Sequence, residues 1–190
     1  MGRKPFFLGY TRRGVVPYVA SYKGKRRWEE IIVHHTWKPT VKDFLSHPDG
    51  LYWVRVIDRF HRSKGWEGIG YHFVLTPDGL IYVGRKLDKS GAHTVGHNAT
   101  GIGVCLLGNF DDEDLTAAQW ISLKYLLAWL CHAFTIPCDC IHFHREFANK
   151  TCPGRRLDLG KVREAVRVTM PEALMLWRNI LGEQIQRTLG

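Results

Sequence analysis

One short loop, HREFANKTCPG, carries a histidine and a cysteine at its two ends, His144 and Cys152, and a further histidine, His34, ends the apolar run IIVHHT. Imidazole nitrogen and thiolate sulfur are preferred zinc donors. Three such ligands leave the fourth tetrahedral position open to water, whereas a structural zinc site closes all four. An open position implies chemistry. Zinc lowers the pKa of the water it holds to about 7 and polarises a carbonyl, a combination suited to amide cleavage. The seven residues between His144 and Cys152 are enough to wrap an ion, and Pro153-Gly154 restricts the backbone after the thiol.

Those residues need a scaffold. Ile31-Ile32-Val33 reads as a strand covered on both faces, ending at His34. Successive strand residues face opposite ways, so His35 is expected to point away from the ion. Thr40 with Asp43 signals a short helix that Pro48 and Gly50 interrupt. Leu51, Val54, Ile57 and Phe60 then recur at helical spacing up to Gly65. YHFVLT and LIYVGR flank Pro77-Asp78-Gly79 as a hairpin, and IGVCLLG reads as a further buried strand. Thr116 and Gln119 open a helix that runs to Phe134. Cys140 to Phe143 is a short strand delivering His144. A helix over 157–168 follows, and Pro171 is expected to open a last one. The order predicts a mixed α/β fold, a mostly five-stranded sheet flanked by helices, with the histidines at strand ends where ligands gather.

The chain of 190 residues carries a net charge of +9, of which residues 1–28 hold +8 without one Asp or Glu. Three parts are therefore expected: a basic arm over 1–28, a catalytic domain over 29–168, and an amphipathic helix over 169–190 packed on it. Its aromatic residues, Phe6, Phe7, Tyr10, Tyr18, Tyr22 and Trp28 among them, argue for partial order of the arm or for surface contact. Such an arm attracts polyanions by salt-dependent steering, and an anionic cell envelope is the expected partner, with no stable nucleic-acid complex. No run is apolar and long enough to span a membrane, and no signal-peptide core is evident, so synthesis in a cytoplasm is expected. The odd count of five cysteines argues against a full disulfide framework. Cys131, Cys138 and Cys140 lie close in sequence, and free thiols are favoured there over one disulfide or a second metal site.

Four blocks, IIVHHT, GWEGIGYHFVLTPDGLIYVGR, GAHTVGHNATGIGVCLLGNF and HREFANKTCPG, resemble the motifs of amidase-type phage lysozymes and peptidoglycan recognition proteins, in their order and spacing over residues 31–154. The resemblance implies a zinc-dependent N-acetylmuramoyl-L-alanine amidase with the recognition-protein fold, cutting the amide between muramic acid and the stem peptide. It carries the zinc ligands over to His34, His144 and Cys152. Tyr71 and Lys150 take catalytic positions, the tyrosine hydroxyl at the water or oxyanion and the lysine as an oxyanion-stabilising cation. His93 matches a residue lining the substrate groove, where substrate contact and support are both open. Trp37, as a ring on which a sugar can stack or as a packing residue, and Asn98 are further candidates for the groove. His61 and His72 are expected to be packing histidines. A phage-like enzyme released to act on the bacterial wall is the leading reading. A non-catalytic wall receptor and a polymerase- or nucleic-acid-binding regulator are the rivals.

Overall fold

The computed structural model describes residues 7–189; Arg3, Lys4 and Phe6 of the basic segment lie outside the described residues. Its centre is a six-stranded mixed sheet in the order β1-β4-β3-β5-β2-β6. These are β1 (Gly9–Tyr10), β2 (Glu30–His35), β3 (Phe73–Leu75), β4 (Ile81–Val83), β5 (Gly101–Leu106) and β6 (Ile141–Phe143). β3 and β4 form the expected hairpin with Phe73 opposite Val83, and Gly79 takes the left-handed turn position at φ +84. Parallel pairing joins β3 to β5, β5 to β2, and β2 to β6. β2 and β5 are buried along their length except at Glu30, which is why both read as apolar runs.

The two sheet faces have different partners. Ile31, Val33, Phe73, Val104 and Phe143 pack on one side with α4 (Ala117–Phe134) and α5 (Leu159–Leu189). Cys105, Val74 and Tyr82 face the other side, against Val54 and Ile57 of α3 (Gly50–Ser63). Each fully buried aliphatic or aromatic side chain contributes about 1.5–3 kcal/mol. Capping holds the helix starts: Thr40 and Asp43 form the full capping box of α2 (Val41–Ser46), and Thr116 Oγ1 accepts from Gln119 N in α4.

The structure differs from the sequence expectation at both ends. The sheet has a sixth strand, β1, drawn from the basic segment and paired antiparallel with β4. The segment also forms α1 (Val15–Ala20), and Phe7, Val15, Val16, Val19 and Trp28 are buried. Its apolar residues therefore dock on the domain, Arg12 and Arg26 pack over Tyr125 and Trp28, and Arg13, Lys23, Lys25 and Arg27 face solvent. The expected break before Pro171 is absent, and α5 is one helix of 31 residues with Pro171 inside it. Pro171 removes one helical N–H, but Ala173, Trp177 and Ile180 pack in the core beside α4, and Trp129 Nε1 donates to Ala173 O at 2.9 Å. Tertiary packing on both sides of the proline outweighs the local penalty. No helix among the described residues is long and apolar enough to cross a membrane. All five cysteines are free thiols.

Candidate metal centre

Parallel pairing of β2 with β6 sets the C-terminal ends of the two strands side by side. His34 leaves β2 on the Cys105 side of the sheet, and His144 opens a 3-10 turn directly after β6. Their rings lie 4.4 Å apart, centroid to centroid. Cys152 returns from the loop to place Sγ 3.8 Å from His34 Nδ1. One donor atom from each of His34, His144 and Cys152 falls within 4.8 Å of the other two, so this cluster can hold a metal ion. Two imidazoles and a thiol form a borderline-soft set that suits zinc rather than magnesium or calcium.

The loop that brings Cys152 back is tied at several points. Arg145 N donates to Cys152 O at 2.8 Å, and the Arg145 guanidinium reaches Gly154 O and Leu157 O. Asp111 accepts from Thr151 Oγ1 at 2.6 Å and from Arg155 N at 2.9 Å. His35 N donates to Cys152 Sγ at 3.4 Å. Phe147, whose N donates to His144 O, stacks on His97 at 3.9 Å, and His97 Nδ1 lies 2.9 Å from Glu30 Oε1. Sequence reading missed Arg145, Asp111 and Phe147 because each acts through contacts between separate segments or with backbone that a motif does not display.

Burial governs the electrostatics. It pushes the Cys152 thiol up to about 11, opposed by the His35 N–H and the Lys150 cation. It holds His144 near 4, with Lys150 and His35 adding to the effect, and holds His34 well below the usual imidazole value. The imidazoles are therefore neutral and ready to ligate. Tyr71, ring centroid 5.1 Å from His34, has its hydroxyl raised well above 10 by burial and by the neighbouring thiols Cys105 and Cys152. Lys150 is exposed on the ligand loop.

The remaining predicted positions divide. Tyr71 and Trp37 line one cleft of about 560 Å³ together with Trp53, Phe60 and His61. Trp37 is 60% exposed there, with its backbone held in the left-handed region at φ 58. His93 is buried, and both of its ring nitrogens have protein partners. Asn98 Oδ1 accepts from His93 N and Thr94 N, so that oxygen holds the loop. His35 turns from the centre toward Phe110, whose N donates to its Nδ1.

His61 and His72 pack as expected. His61 Nδ1 accepts from Gly70 N, while His72 Nδ1 accepts from Gly103 N and its Nε2 donates to Lys89 O. Burial holds both near 4, against 6.5 for an ordinary imidazole. Protons therefore bind the unfolded chain more readily than the folded one. Stability is full above about pH 6.5 and falls as pH drops toward 4, by about 3 kcal/mol for each histidine at completion. Urea midpoints at pH 7 and 4.5 check this, and equal midpoints would refute it.

A model of the N-acetylmuramoyl-L-alanine amidase family matches residues 24–155, which contain all three candidate ligands. The endolysin of Escherichia phage T7 is 38% identical over 139 residues, covering 70% of this chain and 85% of its own. The N-acetylmuramoyl-L-alanine amidase of Homo sapiens is 32% identical over 148 residues, 73% of this chain and 25% of its own. Among solved structures, wild-type Drosophila peptidoglycan-recognition protein LB superposes with a TM-score of 0.65 at 31% identity, over 72% of this chain and 80% of that one. An endolysin amidase from Clostridium intestinale URNW gives a TM-score of 0.64 at 30% identity, over 75% and 86% of the two chains. This chain belongs to the N-acetylmuramoyl-L-alanine amidase family.

Proposed function

We propose that His34, His144 and Cys152 hold a zinc ion at the head of the aromatic cleft, and that the enzyme uses it to cut peptidoglycan. The chain is a peptidoglycan hydrolase, acting on the amide between N-acetylmuramic acid and L-alanine. The observation that carries the zinc reading is the convergence of two imidazole donors and one thiol within 4.8 Å. A non-catalytic receptor would be marked by loss of a ligand, and all three are present. Zinc held there supplies Lewis acidity toward the scissile carbonyl and a water of lowered pKa.

The protein's own groups do the rest. Tyr71, kept protonated by burial, is a hydrogen-bond donor at the edge of the cluster and would meet the oxygen on which charge develops. Lys150 brings a positive charge that is felt by all three ligands, so it also acts on an anion forming beside them. Trp37 offers an exposed ring face on which a sugar can stack, and the 560 Å³ cleft leads from it to Tyr71. Asn98 shapes the loop beside the cluster through its Oδ1. Tyr71→Phe is expected to lower kcat about 10²–10³-fold, the usual cost of one oxyanion donor, with zinc content unchanged. Full turnover by Tyr71→Phe would remove its assigned role.

The basic N-terminal segment is proposed to concentrate the enzyme on the anionic envelope after its release. Arg12 lies over the Tyr125 ring at 4.4 Å and Arg13 pairs with Glu183, whereas Lys23, Lys25 and Arg27 are exposed. Because the segment also supplies core residues, truncation would confound charge with folding. Changing Lys23, Lys25 and Arg27 to glutamine is expected to weaken binding to intact sacculi at low salt and to flatten its salt dependence. Unchanged binding and salt slope would refute the surface role.

A further inference from the structure

The His93 imidazole occupies a slot that only glycines leave open. A Cβ at Gly91 would lie 2.4 Å from His93 Cδ2, and one at Gly103 would lie 2.5 Å from the same atom. Real Cβ atoms do not approach so closely, so any larger residue at either position would expel the ring. The backbone beside it is pinned as well, with His93 N donating to Asn98 Oδ1 at 2.7 Å and Thr94 N donating to the same oxygen at 2.9 Å. His93 as a whole is 9% exposed.

Its hydrogen bonds determine where the protons are. His93 Nε2 lies 3.1 Å from Gly101 O. A carbonyl oxygen only accepts, so Nε2 carries the hydrogen and Nδ1 presents a lone pair. That lone pair is 3.0 Å from His34 Nε2. Two lone pairs at this distance would repel, so His34 Nε2 carries a hydrogen and donates it to His93. The Thr94 hydroxyl, 3.0 Å from His93 Nδ1 and 3.3 Å from His34 Nε2, closes the group. The lone pair of His34 is then on Nδ1, the nitrogen 3.8 Å from Cys152 Sγ.

We propose that His93 is the positioning residue of the metal centre, accepting from His34 Nε2–H and so committing His34 to ligate through Nδ1. The proposal rests on the reading of His34, His144 and Cys152 as zinc ligands. It places His93 behind the ligand rather than in the groove that binds substrate. Partners of this kind fix the orientation and tautomer of a ligating imidazole, and their loss typically costs 10–100-fold in metal affinity. It also gives Gly91 and Gly103 a purpose that neither strand geometry nor turn geometry requires.

The test uses the full chain loaded with zinc, with histidine nitrogens labelled. Nitrogen NMR of the wild type is expected to show His34 bound through Nδ1 and protonated at Nε2. Zinc competition against a chromophoric chelator is expected to give a dissociation constant about 10–100-fold weaker for His93→Ala. His93→Asn, whose Oδ1 restores an acceptor near the place of Nδ1, is expected to recover most of that loss. Circular dichroism of the metal-free variants separates misfolding from a local effect, and the wild-type NMR pattern stands whether or not a variant folds. Ligation of His34 through Nε2, or unchanged zinc affinity in a folded His93→Ala, would overturn the proposal while leaving the zinc reading intact. A wild type that binds no zinc would overturn the zinc reading itself.

Discussion

Cys152→Ser is expected to lower kcat/KM on purified peptidoglycan by at least about 10³-fold, equivalent to about 4 kcal/mol of transition-state stabilisation. The backbone at position 152 keeps its hydrogen bond from Arg145 N, and serine fits the space of the thiol, so the loop should survive. What changes is the donor. A serine hydroxyl stays protonated where a thiol ionises against the metal, and neutral oxygen is a poor zinc ligand beside two imidazoles. Zinc content per chain and hydrolysis should therefore fall together, with thermal unfolding of the metal-free protein near that of metal-free wild type. A Cys152→Ser protein that retains one zinc and full turnover would refute the assignment of the third ligand.

Gly154→Ala is expected to be nearly as damaging by a different route. Gly154 sits at φ +115, a conformation that L side chains rarely adopt, and its Cβ would lie 2.2 Å from the Phe110 carbonyl carbon. Backbone cannot yield as a flexible side chain can, so the loop holding Cys152 must move away from Phe110. We expect destabilisation of about 3 kcal/mol or more together with weakened metal binding. Gly182→Ala is the matched control. It lies in α5 with nothing within 4 Å of its Cβ, so alanine there should stabilise by about 0.5–1 kcal/mol. Denaturant melts of both variants measure the contrast, and equal effects would sink the steric account.

The parts of this architecture that sequence reveals are those with a period or a cap. β2 and β5 announce themselves because parallel strands covered on both faces read as continuous apolar runs. α2 and α4 are marked by Thr40 and Thr116, whose hydroxyls accept from backbone three residues on. β1 escapes because two residues carry no period, and its pairing depends on β4, some seventy residues away. The continuity of α5 through Pro171 escapes because Ala173 and Trp177 meet α4 only in three dimensions. At the centre, His34, His144 and Cys152 are legible as donor types at loop and strand ends. The role of His93 is not, since it arises from a hydrogen-bond chain and from the space left at two glycines.

Purified sacculi offer the most direct test of the central claim. New L-alanine amino ends would be counted after digestion by zinc-loaded enzyme, by enzyme stripped with chelator, and by stripped enzyme given back one equivalent of zinc. The expected result is release by the first, almost none by the second, and recovery in the third. Undiminished release by fully stripped protein would contradict the account.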